Sequence, residues 1–135
     1  MMKGASGGVP AGNGLQLLFV LLGANMQLTT DQPFTQVFSG TNYVITNVVA
    51  TRVTGGASVT CAGGIYTGAG KTGDALVATA QSWVTLATGK TISAVVAAIA
   101  GTNLESAVPI LTLTTGSTAA CTANIYIYGF PIVGT

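Results

Sequence analysis

The clearest β-strand pattern in the chain lies at residues 121–129, which read CTANIYIYG. Successive side chains of a strand point to opposite faces, so alternation of this kind predicts a strand with one buried and one outer face. The predicted core face carries four small or apolar residues: Cys121, Ala123, Ile125 and Ile127. The other face carries Tyr126 and Tyr128, whose apolar rings and polar hydroxyls suit a contact with another subunit.

Strand-like runs rich in Thr, Val, Ile and Ala, broken by Gly, Asn and Ser, continue towards the N-terminus. They predict strands at Gln27–Thr30, Phe34–Ser39, Tyr43–Thr54, Ala57–Gly64, Ala75–Leu86, Val108–Thr115 and Ala120–Gly129. The run Leu15–Ala24 is too continuously apolar to distinguish a helix from a strand. Residues Ile92–Ala100 fit one helical face, yet their β-branched side chains favour a strand.

Many short strands without long helices indicate an all-β chain, and we expect an antiparallel β-sandwich or jelly roll. The 135 residues correspond to one ordinary domain, placed at residues 15–135. Residues 1–14 contain five glycines and little apolar content, which predicts a flexible, extended Gly-rich arm.

Charged residues make up only 5% of the sequence, whereas a typical globular domain has about 25%. With 49% hydrophobic residues, such a chain either sits in a membrane or has most of its surface covered by neighbours. The longest apolar run, Leu15–Ala24, is about half as long as a membrane-spanning helix. Lys3 precedes it, but no Ala-x-Ala cleavage site follows, so we expect neither a membrane protein nor an exported one.

The four basic residues are scattered and the net charge is +1, so no electrostatic footprint for nucleic acid is present. Two cysteines do not form a disulfide framework. The neighbours of Cys61 and Cys121 at even spacing are small or apolar, so we expect both to be buried, reduced thiols.

No catalytic, cofactor or metal site is predicted. The chain has no histidine, which excludes Ser-His and Cys-His nucleophilic schemes. The stretch Gly68–Gly73 resembles a phosphate-binding loop, but Ile65 stands where that motif requires glycine. The chain has three acidic residues, and their spacing suggests neither a carboxyl pair nor a calcium loop: Asp31, Asp74 and Glu105. We therefore expect a non-enzymatic protein.

A partner interface is the one functional surface that the sequence predicts. Six residues near the N-terminus are too apolar to face water together, and with the two outward tyrosines they form the predicted interface: Leu15, Leu17, Leu18, Phe19, Leu21, Leu22, Tyr126 and Tyr128. Trp83 could stack on a sugar, which leaves a carbohydrate-binding surface module as an alternative, although a core or interface position is commoner for a single tryptophan.

Four short blocks of the sequence carry a resemblance to a known class of proteins. They are Gly23–Gln32 (GANMQLTTDQ), Tyr43–Val48 (YVITNV), Ala62–Thr67 (AGGIYT) and Ala123–Gly129 (ANIYIYG). This series resembles small virion structural proteins of tailed bacteriophages and prophages, and the resemblance covers about residues 15–133. It does not extend to the Gly-rich arm and supplies no catalytic residues.

The resemblance implies a β-sandwich or jelly-roll subunit of the virion, in particular a head decoration (cement) protein. Such a protein would stabilise the capsid through self-association, as a homotrimer, and through contact with the major capsid protein. We expect it on the capsid surface, with the arm of residues 1–14 gripping the shell or an adjacent subunit. A tail, collar or fibre-base subunit is the alternative position in the virion.

Overall fold

The computed structural model describes residues 15–55, 60–88, 91–94 and 104–132. These residues form two antiparallel β-sheets. The strands are β1 (Gln16–Asn25), β2 (Gln32–Pro33), β3 (Thr35–Gln36), β4 (Asn42–Gly55), β5 (Ala62–Gly68), β6 (Thr72–Val77), β7 (Thr91–Ala94), β8 (Ile110–Thr115) and β9 (Cys121–Ile132). A 3-10 helix at Val84–Thr88 is the only helical element in the described part of the chain.

The larger sheet has the strand order β3-β1-β9-β4-β7, and the smaller has the order β2-β8-β5-β6. Strand β9 is the middle strand of the larger sheet, and it is paired with β1 along one edge and with β4 along the other. Its predicted alternation is confirmed along its full length, where buried and half-buried residues follow each other strictly.

A single hydrophobic core draws on both sheets. From the larger sheet it takes Phe19, Ile45 and Ile125, and from the smaller sheet Ile65 and Leu113. The rings of Phe19, Phe38 and Tyr43 meet edge to face, with centroids 4.9–5.9 Å apart. Aromatic rings favour this arrangement, which adds to the free energy gained from burial.

Strands β5 and β8 approach so closely that only glycine fits at one position between them. A Cβ atom on Gly63 would lie 2.3 Å from the Cα atom of Leu113. The indole N–H of buried Trp83 donates to the carbonyl oxygen of this same Gly63, at 3.1 Å. The sequence Gly63-Gly64 therefore serves the contact between strands, not a turn.

Several predicted elements need correction. Gln27–Thr30 is a turn, not a strand, and Phe34–Ser39 contains only the two-residue strand β3. The prediction of one strand over Ala75–Leu86 is wrong, since β6 ends at Val77 and the chain then leads into the 3-10 helix. The run Leu15–Ala24, which the pattern left open, forms strand β1.

Other boundaries shift or fall partly outside the described residues. The predicted strand Ala57–Gly64 is observed at Ala62–Gly68, with residues 56–59 outside the described part. The ambiguous segment Ile92–Ala100 is a strand as far as Ala94, and residues 95–100 lie outside it. The Gly-rich arm of residues 1–14 also lies outside the described residues.

Candidate functional site

The outer face of the larger sheet carries a contiguous row of half-buried apolar side chains. Tyr126 of β9 is paired with Val20 of β1 and with Val49 of β4, so all three lie on the same face. One pair further along β9, Tyr128 lies opposite Leu17 of β1 and opposite the exposed, polar Asn47 of β4. We define the outer-face patch as the apolar and aromatic residues of this row together with the next pair on the same side: Leu17, Val20, Val44, Val49, Tyr126, Tyr128 and Phe130.

None of the patch residues is charged, and beyond Tyr126 the same face becomes polar. Asn124 lies opposite Thr51, and Thr122 lies opposite Thr54. The hydroxyl groups of Thr54 and Thr122 are hydrogen-bonded to each other at 2.6 Å. The face therefore combines an apolar centre with an uncharged polar end, which is the composition of a surface that can be covered without desolvating ions.

Because strand β1 contains two β-bulges, some residues of the predicted apolar interface lie in the core and others lie at the surface. The pairing skips Leu18 between Leu17, which lies opposite Tyr128, and Phe19, which lies opposite Ile127. As a result Leu18 and Phe19 are both fully buried in the core of the chain itself. Leu21, opposite Ile125, packs against that core as well.

The remaining leucines of the predicted interface stay available to a partner. At the second bulge Leu22 and Gly23 lie opposite the single residue Asn124, whose side-chain oxygen accepts a hydrogen bond from the Gly23 N–H at 2.9 Å. Leu22 is 65% exposed and Leu15 is 56% exposed. Leu15, Leu17, Leu22 and the two tyrosines thus remain candidate contact residues, whereas Leu18, Phe19 and Leu21 serve the fold.

The cysteines lie as the sequence predicts. Cys61 and Cys121 are both buried and unbridged. Burial, together with the neighbouring Cys121 thiol, raises the pKa of Cys61 to about 11. Burial also raises the pKa of Cys121. Neither thiol therefore has the character of a reactive cysteine.

Trp83 is fully buried and its indole N–H is occupied by the Gly63 carbonyl, so it offers no ring face to a sugar. Of the core and interface positions that are common for a single tryptophan, the structure shows the core position. Of the aromatic residues considered for a carbohydrate site, the half-buried Tyr126 and Tyr128 remain at the surface.

The stretch Gly68–Gly73 forms the turn between β5 and β6. Gly70 and Lys71 have positive φ angles of 66°. The Gly70 N–H donates to the carboxylate of Asp31 at 3.0 Å, and the Thr112 hydroxyl donates to the same carboxylate at 2.7 Å. Asp31 thereby holds the turn against β8, and a backbone N–H that a phosphate could have used is directed at the chain's own carboxylate.

Two of the three acidic residues, which no sequence spacing suggested as a pair, influence each other in the structure. Burial, together with the nearby Asp74 of β6, raises the pKa of Glu105 to about 7. Glu105 is paired through its backbone with Tyr43 at the start of β4. Glu105 is only 8% exposed. No sequence spacing could have indicated this pair, because its members belong to elements from different sheets.

Within the described ranges, no group of three or more His, Cys, Asp or Glu side chains is placed to hold a metal ion. Those ranges also contain no helix with the length and hydropathy needed to cross a membrane. Comparison of the chain with protein-family models, with curated proteins and with solved structures gives no match.

Proposed function

We propose that this chain is a structural subunit that works by self-association, and that the outer-face patch is its contact surface. The observation that carries this proposal is the uncharged, apolar centre of the larger sheet around Tyr126 and Tyr128. Burial of a whole aromatic residue removes about 150–250 Å² from water, and the half-buried Tyr126 and Tyr128 have part of that area left for a partner. Apolar burial contributes about 25 cal/mol per Å². A patch of this kind can drive assembly without salt bridges.

We further propose that the subunit belongs to the virion of a tailed bacteriophage, as a head decoration protein that stabilises the capsid. Its partners would be copies of itself, in a trimer, and the major capsid protein. Support comes from the resemblance of the blocks at residues 23–32, 43–48, 62–67 and 123–129 to small virion proteins, together with a charge content of 5%. In this arrangement the arm of residues 1–14 anchors the subunit to the shell.

The proposal also includes the type of fold that the two sheets form. The core cluster takes residues from both antiparallel sheets, which supports a β-sandwich of the jelly-roll type. Jelly rolls occur in viral capsid proteins, and the outer-face patch of the larger sheet offers half-buried apolar side chains for packing between copies.

Self-association is tested by placing one charge on the patch. Tyr126→Asp puts a carboxylate at the centre of the outer face, whereas Thr114→Asp puts the same charge on an exposed position of β8 in the smaller sheet. Sedimentation of the wild type and the Thr114→Asp variant should show one oligomer, and the Tyr126→Asp variant should be monomeric with an unchanged circular dichroism spectrum. Wild-type protein that remains monomeric at high micromolar concentration would reject the proposed interface.

The position in the virion is tested separately. Mass spectrometry of purified particles should find the chain in many copies per head, and removal of residues 2–14 should reduce its attachment to capsid shells. Signal confined to the tail, collar or fibre base would favour the alternative virion position. Attachment of the truncated protein with unchanged affinity would show that the arm is not an anchor.

A further inference from the structure

The outer edge of strand β1, on the side away from β9, is partly covered by strand β3, which pairs with Phe19 and Val20. At the last residue of β1 a side chain takes the place of a neighbouring strand. The Oε1 atom of Gln32 accepts a hydrogen bond from the Asn25 N–H, and its Nε2 atom donates to the Asn25 C=O, both at 2.9 Å. A residue of an added antiparallel strand would form the same two bonds, so the Gln32 amide occupies the position of a strand residue.

The direction of the Asn25 backbone groups follows from the next residue. Met26 directs its N–H to the Cys121 carbonyl of β9, at 2.9 Å. Successive N–H groups of a strand point to opposite edges, so the Asn25 N–H points away from β9. The Asn25 C=O also accepts a hydrogen bond from the Leu28 N–H at 3.2 Å, whereas its N–H is occupied by Gln32.

Gln32 reaches this edge from the other sheet. Its backbone belongs to β2 and is paired with Leu111 of β8 in the smaller sheet. Its side chain is half-buried, so water is partly excluded from the two bonds to Asn25. The smaller sheet therefore holds in place the amide that covers the edge of the larger sheet.

An edge strand of this composition needs such a cover. Strand β1 reads QLLFVLLGAN, without a charged residue, and its Leu22 is 65% exposed. An apolar edge strand with unpaired N–H and C=O groups is a template for strand addition, and many proteins block such an edge with charged side chains. Neither β1 nor the short strands β2 and β3 beside it contain a charge, so the block here is made from uncharged groups.

We propose that Gln32 closes the outer edge of β1 against strand addition by the β1 strand of a second copy, and thereby excludes edge-to-edge association of the chain. The amide acts as an autoinhibitory contact, because it holds the donor and the acceptor that the incoming strand would use. A second β1 is the strand excluded, since two copies of one edge can pair antiparallel about a two-fold axis. This edge is separate from the outer-face patch, which lies on the face of the same sheet.

Gln32→Met tests the proposal, because methionine keeps the length of the side chain but lacks the amide. The variant is made in the Tyr126→Asp background, which places a charge on the outer-face patch. In sedimentation analysis its mass should be at least double that of the Tyr126→Asp parent, with an unchanged circular dichroism spectrum. Gln81→Met in the same background is the matched control: it removes a bond to the Ser82 carbonyl at 2.8 Å, away from β1, and should leave the mass unchanged.

A charge on the opened edge should reverse the effect. Leu22→Lys, added to the Gln32→Met protein, should restore the mass of the parent, which a role of Gln32 in stability alone would not produce. An unchanged mass for Gln32→Met, an equal increase for Gln81→Met, or assemblies that persist with Leu22→Lys would each overturn the proposal. An oligomeric Tyr126→Asp parent would instead reject the outer-face interface, and the comparison with Gln32→Met would still decide whether the edge is closed.

Discussion

The Asp74–Glu105 pair makes a quantitative prediction about stability and pH. In the folded chain the pKa of Glu105 is about 7, and its ordinary value, which holds after unfolding, is 4.5. Between these values the folded state binds more protons than the unfolded state, so stability falls as pH rises from 4.5 to 7 and levels off above. The pKa difference of about 2.5, at about 1.36 kcal/mol for each pH unit, corresponds to roughly 3 kcal/mol.

Urea unfolding at a series of pH values between 4 and 9 measures this loss, and Glu105→Gln is the variant that should abolish it. The amide of glutamine has nearly the same size as the carboxyl group and does not titrate. The difference in unfolding free energy between wild type and Glu105→Gln should therefore change by about 3 kcal/mol across the window, in the direction of lower wild-type stability at high pH. Parallel curves for the two proteins, or a wild-type advantage that grows with pH, would refute the reasoning.

Three further predictions concern the core. Gly63→Ala should lower the unfolding free energy by about 1–3 kcal/mol in urea titration, because its Cβ would meet the β8 backbone. It should cost more than Gly70→Ala, whose Cβ would meet no atom within 4 Å, so that only the φ of +66° opposes alanine there. Trp83→Phe should cost about 2–4 kcal/mol, since it removes the hydrogen bond to the Gly63 carbonyl and leaves a cavity; a loss below 0.5 kcal/mol in the same urea assay would contradict the buried bond. Cys61 and Cys121 should react with a thiol reagent only after unfolding, and rapid reaction of the native protein, or a disulfide found by non-reducing peptide mapping, would show that they are not buried thiols.

Strand β9 could be predicted from the sequence because its environment repeats every two residues. Both of its edges are paired and one face is buried throughout, so each inward position demands a small or apolar residue. The inward Cys121 and Ile127 and the outward Tyr126 and Tyr128 follow directly from this constraint. The outward positions of Tyr126 and Tyr128 in the candidate site could therefore be predicted from the sequence.

Strand β1 could not be assigned in the same way, and its two bulges give the physical reason. Each bulge sets two residues of β1 against one of β9, so the alternation of faces restarts twice in ten residues. Leu18 and Phe19 are adjacent yet both buried, which breaks the alternation of a strand with one buried face. Sequence reasoning thus found the apolar segment but could not separate its core residues from its surface residues.

The Asp74–Glu105 pair escaped sequence reasoning for a different reason. Its members are brought together by the packing of one sheet against a segment paired with the other, and no local pattern encodes that contact. The composition did contain one relevant signal. In a chain with three acidic residues, each carboxyl is unusual enough to call for a specific role.

The roles that the structure gives to these acids bear on how the chain can associate. Asp31 holds the turn between β5 and β6, and Asp74 and Glu105 lie close enough to interact, so all three carboxyl groups are engaged within the chain. The outer-face patch is left without acids, and covering it requires no ion to lose its water. Strand β4 connects the two features, because Tyr43 is held by Glu105 while the next residue, Val44, lies in the patch. The backbone of Glu105 therefore supports the same strand that presents one end of the proposed contact surface.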